Sequence, residues 1–139
     1  MRAIPPYRLF LGSVVDAWNL RRIHELGIVA VVDLAGNERP FQGTRDLTLL
    51  RFPLVDGDGN PDWLLRLAVK AVHDLLTNDV PTFVYCSAGM SRSPTIVAAG
   101  VARFSGKPLA DCLEQVCREH PADVSPALLT SVRAALELS

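Results

Sequence analysis

One stretch of the sequence restricts the possible fold more than any other, because three different signals follow one another there without a gap. Residues 82–85 are apolar and predict a short buried strand, and the small residues 87–91 just beyond predict a loop. Residues 93–104 predict a helix that is apolar on all sides, which is typical of the central buried helix of a domain. The stretch therefore predicts a strand, a tight loop and a helix around which the rest of the chain is organised.

Two reactive side chains stand at the ends of this loop. Cys86 ends the predicted strand, and Arg92 follows it after five intervening residues. A loop that leads into a helix N-terminus points backbone N–H groups at one place, where they and the helix dipole bind an anion. The same charges favour the thiolate form of Cys86, and the planar guanidinium of Arg92 can bind two phosphate oxygens. The loop therefore predicts a nucleophile, an anion site and a positive clamp.

The remaining sequence alternates between predicted strands and predicted helices. We predict further strands over residues 7–12, at an edge of the sheet, and over residues 28–32 and 47–54, both buried. We predict the other helices over residues 14–26 and 61–77, from 108 onwards, and from 126 to about 138. This alternation predicts an α/β domain with a mainly parallel central sheet of about four or five strands flanked by helices. The loop then lies at the carboxyl end of a strand, where such sheets bind ligands.

Several helix ends carry signals of their own. Ser13 and Asp16 have the spacing of a capping box, and Gly27 favours a left-handed C-terminal cap. Asn60 and Ser125 each precede a proline and favour the start of a helix.

Length and charge limit the possible functions. The chain of 139 residues is long enough for its own core, and we expect residues 1–139 to form a single domain. A net charge of −1 without a long run of one sign argues against nucleic-acid binding. No apolar run approaches the ~20 residues that span a bilayer, and the N-terminus lacks the apolar segment of a signal peptide. We therefore expect no nucleic-acid and no membrane partner.

The cysteines and histidines predict neither a disulfide framework nor a metal site. Three cysteines without regular spacing fit a reducing compartment, so we expect a cytoplasmic protein. Cys112 and Cys117 are interpreted as core cysteines, although a protective disulfide with Cys86 stays open. The three histidines lack the spacing of metal ligands, and we interpret them as surface or half-buried residues: His24, His73 and His120. We expect no metal and no cofactor.

The pattern Cys86-x-x-Gly89-x-x-Arg92-Ser93 resembles the signature loop of the cysteine-dependent protein phosphatases, and most of all that of the small dual-specificity members. Other segments resemble this family in the same order: residues 9–13 its opening strand, 26–34 its next helix-to-strand passage, and 52–57 the segment with its general acid. Rhodanese-like and arsenate-reductase-like proteins share the Cys-x5-Arg spacing, but the Asp-Gly segment and the absence of an obvious resolving cysteine argue against them. The resemblance covers nearly the whole chain and implies one dual-specificity phosphatase-like catalytic domain with a protein tyrosine phosphatase-like fold.

The resemblance implies metal-independent hydrolysis of phosphomonoesters at this loop. Cys86 attacks phosphorus, and water then hydrolyses the cysteinyl-phosphate intermediate, which divides one difficult step into two. Arg92 holds the phosphoryl charge, and Ser93 donates a hydrogen bond to the sulfur, a role compatible with capping the helix. Gly89 lets the loop curve closely around the anion. The residues that bind the substrate phosphate are Ser87, Ala88, Gly89, Met90, Ser91 and Arg92.

The family also implies an aspartate on an upstream loop, which protonates the leaving oxygen and later activates water. Asp56 and Asp58 compete for this role. Asp56 directly follows residues 53–55, a Pro-Leu-Val run, and precedes a glycine, as the family acid often does, so we favour Asp56. Asp-Gly is also a common turn dipeptide, so either carboxylate could serve the turn alone.

Two departures from the family pattern qualify these expectations. Tyr85 stands directly before the nucleophile, where relatives usually have a histidine whose hydrogen bonds hold the loop and favour the thiolate. A weakly active or inactive phosphate-binding module is therefore the alternative function. Residues 124–126 lack the asparagine that many relatives carry before the last helix, and we assign no site residue there.

The substrate class follows from what the loop lacks. Its interior has no lysine, whereas phosphoinositide-directed relatives often place lysines there, so we favour phosphoproteins. The chain is also shorter than phosphotyrosine-only enzymes, which favours a shallow pocket open to phosphotyrosine, phosphoserine and phosphothreonine. We expect a monomer whose partner is a phosphorylated protein or a small phosphomonoester.

Overall fold

A five-stranded sheet forms the centre of the computed structural model, which describes residues 1–137. The strands are β1 (Arg2–Ala3), β2 (Leu9–Ser13), β3 (Ala30–Ala35), β4 (Thr48–Leu54) and β5 (Thr82–Cys86). Their order across the sheet is β1-β2-β5-β3-β4, and every pairing is parallel except the antiparallel pair of β1 and β2. The predicted mainly parallel sheet is confirmed, and the strand that ends in Cys86 is its middle strand.

Helices cover the two faces of the sheet unequally. They are α1 (Val14–Ala17), α2 (Leu20–Glu25), α3 (Asp62–Thr77), α4 (Arg92–Ser105), α5 (Leu109–Glu119) and α6 (Pro126–Ala135). The larger core lies between the sheet and α3 to α6, whereas a smaller core lies beneath α1, α2 and the loop after β3. The predicted central helix is confirmed in α4, whose residues 92–102 are all buried. The last helix ends before Leu138, which lies outside the described residues.

The alternation of side chains along β5 divides it between the two cores. Val84 and Cys86 belong to the larger core, whereas Phe83 and Tyr85 belong to the smaller one. Successive side chains of a strand point to opposite faces of a sheet, so Cys86 and Tyr85 diverge although they are neighbours in sequence.

Two expectations about the N-terminal part are wrong. The strand predicted over residues 7–12 is not at an edge, because β1 pairs with β2 on the side away from β5. The helix predicted over residues 14–26 is interrupted after α1, and Asn19 Oδ1 accepts a hydrogen bond from Arg22 N at 3.1 Å to cap α2. An asparagine side chain that caps a new helix stabilises a break in the longer one. The Ser13–Asp16 capping box is confirmed.

The strand predicted as buried over residues 47–54 is instead the edge strand β4. Within residues 1–137 it pairs only with β3, and Leu49 is 44% exposed. Its apolar character has a different origin, because Leu50 and Phe52 pack partly against the larger core while the other face of the strand is less covered. An edge strand can thus resemble a buried one in sequence.

Candidate active site

The loop after β5 points its backbone carbonyls outward. Ser87 O accepts from Val14 N at 3.1 Å, Met90 O accepts from Asp123 N at 2.7 Å, and Gly89 O is bonded to the imidazole of His120. The backbone N–H groups of residues 87–91 donate no hydrogen bond to any of residues 1–137. Unpaired amides on the inside of a loop form a concave site for an anion.

Gly89 makes this curvature possible. Its φ is +75°, a left-handed conformation that favours glycine, and a Cβ there would approach Gly12 O to 2.6 Å. The loop therefore packs directly against the end of β2, and no larger residue fits at this point.

Arg92 begins α4 and brings a buried positive charge to the loop. Its side chain is largely covered, with the residue 6% exposed. Nη1 donates to Asn37 Oδ1 at 2.9 Å and to Leu54 O at 3.0 Å, both neutral acceptors. No carboxylate of residues 1–137 lies within salt-bridge distance of it, and the first turn of α4 has no acidic residue. A buried guanidinium without a countercharge, beside free amides, creates a site that favours an anion.

Cys86 and Ser93 lie on either side of the loop and are both almost fully buried, at 2% and 0% exposure. The Ser93 hydroxyl has no hydrogen-bond partner within residues 1–137, so its expected bond to the cysteine sulfur is not formed here. A buried hydroxyl without a partner is uncommon in folded proteins. The role of Ser93 toward the sulfur stays a prediction.

Asp56 and the loop are joined by a short hydrogen bond. Ser91 Oγ donates to Asp56 Oδ1 at 2.6 Å, and the same Oγ accepts from Ser125 N at 2.9 Å. The expectation that Asn60 starts α3 as its cap is wrong, because its side chain makes no capping bond to that helix. Asn60 Oδ1 instead accepts from Val55 N at 2.8 Å and so braces the loop that carries Asp56. Ser91 therefore connects the candidate acid with the loop of residues 87–91, the candidate phosphate loop, and with the segment before α6.

Asp58 takes no part in these contacts. It is exposed and makes no side-chain hydrogen bond or ion pair with residues 1–137. The structure therefore brings Asp56, and not Asp58, to the loop.

His120 is buried against the phosphate loop, so its interpretation as a surface or half-buried residue is wrong. Its exposure is 8%, and Nε2 is bonded to Gly89 O. Because a carbonyl only accepts, Nε2 must carry the proton, which leaves Nδ1 as a buried acceptor without a partner in the described chain. Burial lowers the pKa of His120, so the imidazole is neutral near pH 7.

Tyr85 lies in the smaller core, on the opposite face of β5 from the Cys86 side chain. Its ring stacks on Phe83 with centroids 5.5 Å apart and packs beside Phe41 at 6.1 Å. Burial raises the pKa of Tyr85, and the nearby Asp33 carboxylate raises it further. The phenol therefore stays protonated and adds no charge near the nucleophile.

The loop between β3 and β4 forms a second wall of the site through Asn37. Besides its bond to Arg92, Asn37 Oδ1 accepts from Ser87 Oγ at 2.9 Å. A cavity of about 560 Å³ opens beside this wall, lined by residues that include Trp18, Phe41 and Tyr85.

Residues 1–137 contain no group of three or more His, Cys, Asp or Glu side chains arranged to hold a metal ion. In the same part of the chain, no helix has the length and apolar character that a membrane span requires. The three cysteines are all free thiols; Cys112 is buried as expected, whereas Cys117 is exposed. No disulfide therefore closes off Cys86.

Sequence reasoning did not predict three of the contacts around the loop, namely those of Asn37, His120 and the backbone of Ser125. Each partner is 31 to 55 positions away in sequence from the loop residue that it contacts. No local pattern marks such residues, because the contacts depend on how distant segments pack.

Comparison with known proteins finds similarity to one family of phosphatases. Residues 9–129 match the family model described as the catalytic domain of dual specificity phosphatases. Dual specificity protein phosphatase 15 of Homo sapiens is 30% identical over 114 residues, which cover 81% of this chain and 38% of that protein. The chain thus spans well under half the length of this curated relative.

Two solved structures share the fold over nearly their whole length. The crystal structure of human DUSP28 has a TM-score of 0.85 at 23% identity, covering 99% of this chain and 96% of that one. The crystal structure of DUSP15 has a TM-score of 0.82 at 26% identity, covering 99% and 91% respectively.

Proposed function

This chain belongs to the dual specificity phosphatase family, and from that premise we propose that it hydrolyses phosphomonoesters of phosphotyrosine, phosphoserine and phosphothreonine proteins through a cysteinyl-phosphate intermediate. One observation carries the proposal: the buried guanidinium of Arg92, without a countercharge in residues 1–137, adjoins a loop whose backbone amides donate no hydrogen bond within those residues. Together they form a site for a dianion at the end of the strand that carries a cysteine.

In the first step, the Cys86 thiolate attacks phosphorus, so that an S–P bond forms as the P–O bond to the leaving group breaks. Asp56 supplies the proton that the leaving oxygen takes up, and its hydrogen bond from Ser91 supports this assignment over Asp58. Arg92 and the loop amides of residues 87–91 stabilise the charge spread over the phosphoryl oxygens.

In the second step, water attacks phosphorus while Asp56, now a carboxylate, accepts a proton from it. The S–P bond breaks, the thiolate of Cys86 re-forms and inorganic phosphate leaves. The Ser93 hydroxyl then donates a hydrogen bond to the departing sulfur, which gives this buried hydroxyl a partner.

The direct test compares the wild type with Cys86→Ser. We expect the wild type to hydrolyse p-nitrophenyl phosphate steadily and the serine variant not to hydrolyse it. We also expect rapid-quench experiments to capture phosphate bound to the wild-type protein. A Cys86→Ser variant as active as the wild type would contradict the proposal. Values of kcat/KM for phosphopeptides, nucleotides, sugar phosphates and inositol phosphates then define the substrate, and we expect phosphopeptides to be preferred.

Tyr85 motivates the alternative, a phosphate-binding module with little turnover. It replaces the usual histidine and lies in the smaller core, facing away from the Cys86 side chain. A wild-type protein that binds tungstate at the loop but does not turn over any substrate of the panel would favour this alternative.

A further inference from the structure

We propose that Asn37 is a positioning residue of the phosphate site, which holds one edge of the Arg92 guanidinium so that the opposite edge faces the phosphoryl group. The inference rests on the proposed function and adds to it a residue on the loop between β3 and β4.

The hydrogen bonds of Arg92 use up one nitrogen and leave the other two free. Nη1 carries two hydrogens, and both have acceptors, Asn37 Oδ1 at 2.9 Å and Leu54 O at 3.0 Å. Nε and Nη2 have no hydrogen-bond acceptor in the described part of the chain. An N–H of Nη2 runs parallel to that of Nε, and such a parallel pair binds two oxygens of one phosphate. The occupied edge therefore fixes the direction in which the free edge points.

Asn37 also fixes the start of the loop. Its Oδ1 accepts from the Ser87 hydroxyl at 2.9 Å as well as from Arg92, so both lone pairs of this oxygen are used. One amide oxygen thus joins the first residue of the phosphate loop to the arginine at its end. The distance between the start of the loop at Ser87 and the guanidinium of Arg92 therefore depends on this oxygen.

The segment that carries Asn37 is itself held, although Asn37 is exposed. Gly36 N donates to Leu54 O at 3.3 Å, and a Cβ at this glycine would come within 2.7 Å of that oxygen. Arg51 Nη2 donates to the carbonyl of Glu38, directly after Asn37, at 3.2 Å. The ion pair between the buried Asp33 and the partly buried Arg51, with an N–O distance of 2.7 Å, anchors this contact to the sheet. The backbone on both sides of Asn37 is therefore held in place.

A neutral amide suits this role better than a carboxylate would. An aspartate could accept the same two hydrogen bonds, but its charge would compensate the guanidinium and repel a dianion. The two substitutions thus test different parts of the proposal: Asn37→Ala removes the acceptor, and Asn37→Asp keeps it while adding charge.

The experiment measures the dissociation constant of tungstate and the kcat/KM for p-nitrophenyl phosphate in the same set of variants. Asn37→Ala should weaken tungstate binding and lower kcat/KM by about 10- to 100-fold, as expected for a lost hydrogen bond to a charged group. Asn37→Asp should weaken tungstate binding at least as much. The matched control is Gln42→Ala, because Gln42 is an exposed amide on the same loop without a contact to Arg92, and it should bind tungstate like the wild type.

A double-mutant cycle separates positioning from a general structural role. In an Arg92→Lys background there is no planar fork to orient, so adding Asn37→Ala should change tungstate binding by less than about threefold. If the full loss persists in that background, Asn37 does not act through Arg92 and the proposal is wrong. Tungstate binding to Asn37→Ala that equals or exceeds that of the wild type overturns it too, since the amide would then compete with the anion.

Failure of the phosphatase proposal and failure of the Asn37 proposal give different results. A wild type that binds tungstate but hydrolyses nothing contradicts the phosphatase proposal while the tungstate comparison still decides the role of Asn37. A wild type that does not bind tungstate overturns the Asn37 proposal, whatever its rate of hydrolysis.

Discussion

The phosphate loop and the acid loop meet at one hydrogen bond, yet they are built in different ways. The carbonyls of the phosphate loop are held by two separate parts of the chain: the start of α1, and the segment after α5 through His120 and Asp123. The acid loop, residues 55–60, is largely exposed and is braced mainly by the side chain of Asn60. Among the described residues, only the bond of Ser91 to Asp56, at 2.6 Å, ties the carboxylate of the acid loop to the site.

This difference separates anion binding from proton transfer. The groups that we propose to bind phosphate are held by the fold before any substrate arrives, which is the arrangement that stabilises developing charge most effectively. The proposed proton donor, Asp56, lies on a weakly held segment, as is common for elements that move during catalysis. Changes in the phosphate loop that keep the bond to Asp56 should therefore affect all substrates alike, whereas changes in the acid loop, or loss of that bond, should affect substrates according to their leaving group.

The largest effect that distinguishes the two regions is expected from Asp56→Asn. This variant should lower kcat by about 10²- to 10⁴-fold for alkyl phosphates, whose leaving oxygen needs a proton. The loss should be much smaller for p-nitrophenyl phosphate, because p-nitrophenolate leaves without one. Steady-state kinetics on a series of leaving groups measures the difference.

Asp58→Asn is the matched control, since it makes the same chemical change two residues away at an exposed side chain without contacts to the loop. It should keep the wild-type dependence on the leaving group. If Asp58→Asn shows the altered dependence and Asp56→Asn does not, the assignment of the acid is wrong.

A smaller effect is expected from Ser91→Ala, which removes the bond that links the two regions. Without the hydroxyl, Asp56 loses its one hydrogen bond to the phosphate loop, and kcat for alkyl phosphates should fall by about 3- to 10-fold. Ser87→Ala provides the comparison, because Ser87 belongs to the same loop but contacts Asn37 and not Asp56. Ser87→Ala should lower kcat for all substrates by a similar factor. If both variants show the same dependence on the leaving group, the bond of Ser91 to Asp56 does not link the two regions.

The smallest effect is expected from Tyr85→His. Because the side chain at position 85 faces away from Cys86, an imidazole there would favour the thiolate through hydrogen bonds that hold the loop, and the pH midpoint of inactivation by iodoacetate should shift to lower pH. Only the thiolate reacts, and the ionisation of a substrate therefore does not enter this measurement. Tyr85→Phe keeps the stacked ring and should not lower the midpoint. If Tyr85→His leaves the midpoint unchanged or raises it, Tyr85 only packs the smaller core.

The features that were predictable from sequence are those encoded within a few residues. The apolar residues of β5 and α4, with Gly89 between them, define the strand, loop and helix locally, and the capping box of Ser13 defines the start of α1. The environment of β4 was not predictable, because burial of an apolar strand depends on which neighbours the sheet provides. The roles of Asn37 and His120 were equally hidden, since their contacts join segments that are distant in sequence.

The measurement that tests the separation of binding and proton transfer most directly is a titration with tungstate, which mimics phosphate and needs no proton. Asp56→Asn should bind tungstate within about fivefold of the wild type, and any change should be towards tighter binding because a negative charge has been removed. Arg92→Ala should weaken binding by about 100-fold or more, since it removes two charge-assisted hydrogen bonds. If Asp56→Asn weakens tungstate binding as much as Arg92→Ala does, the acid loop is part of the anion site and the two regions are not separate.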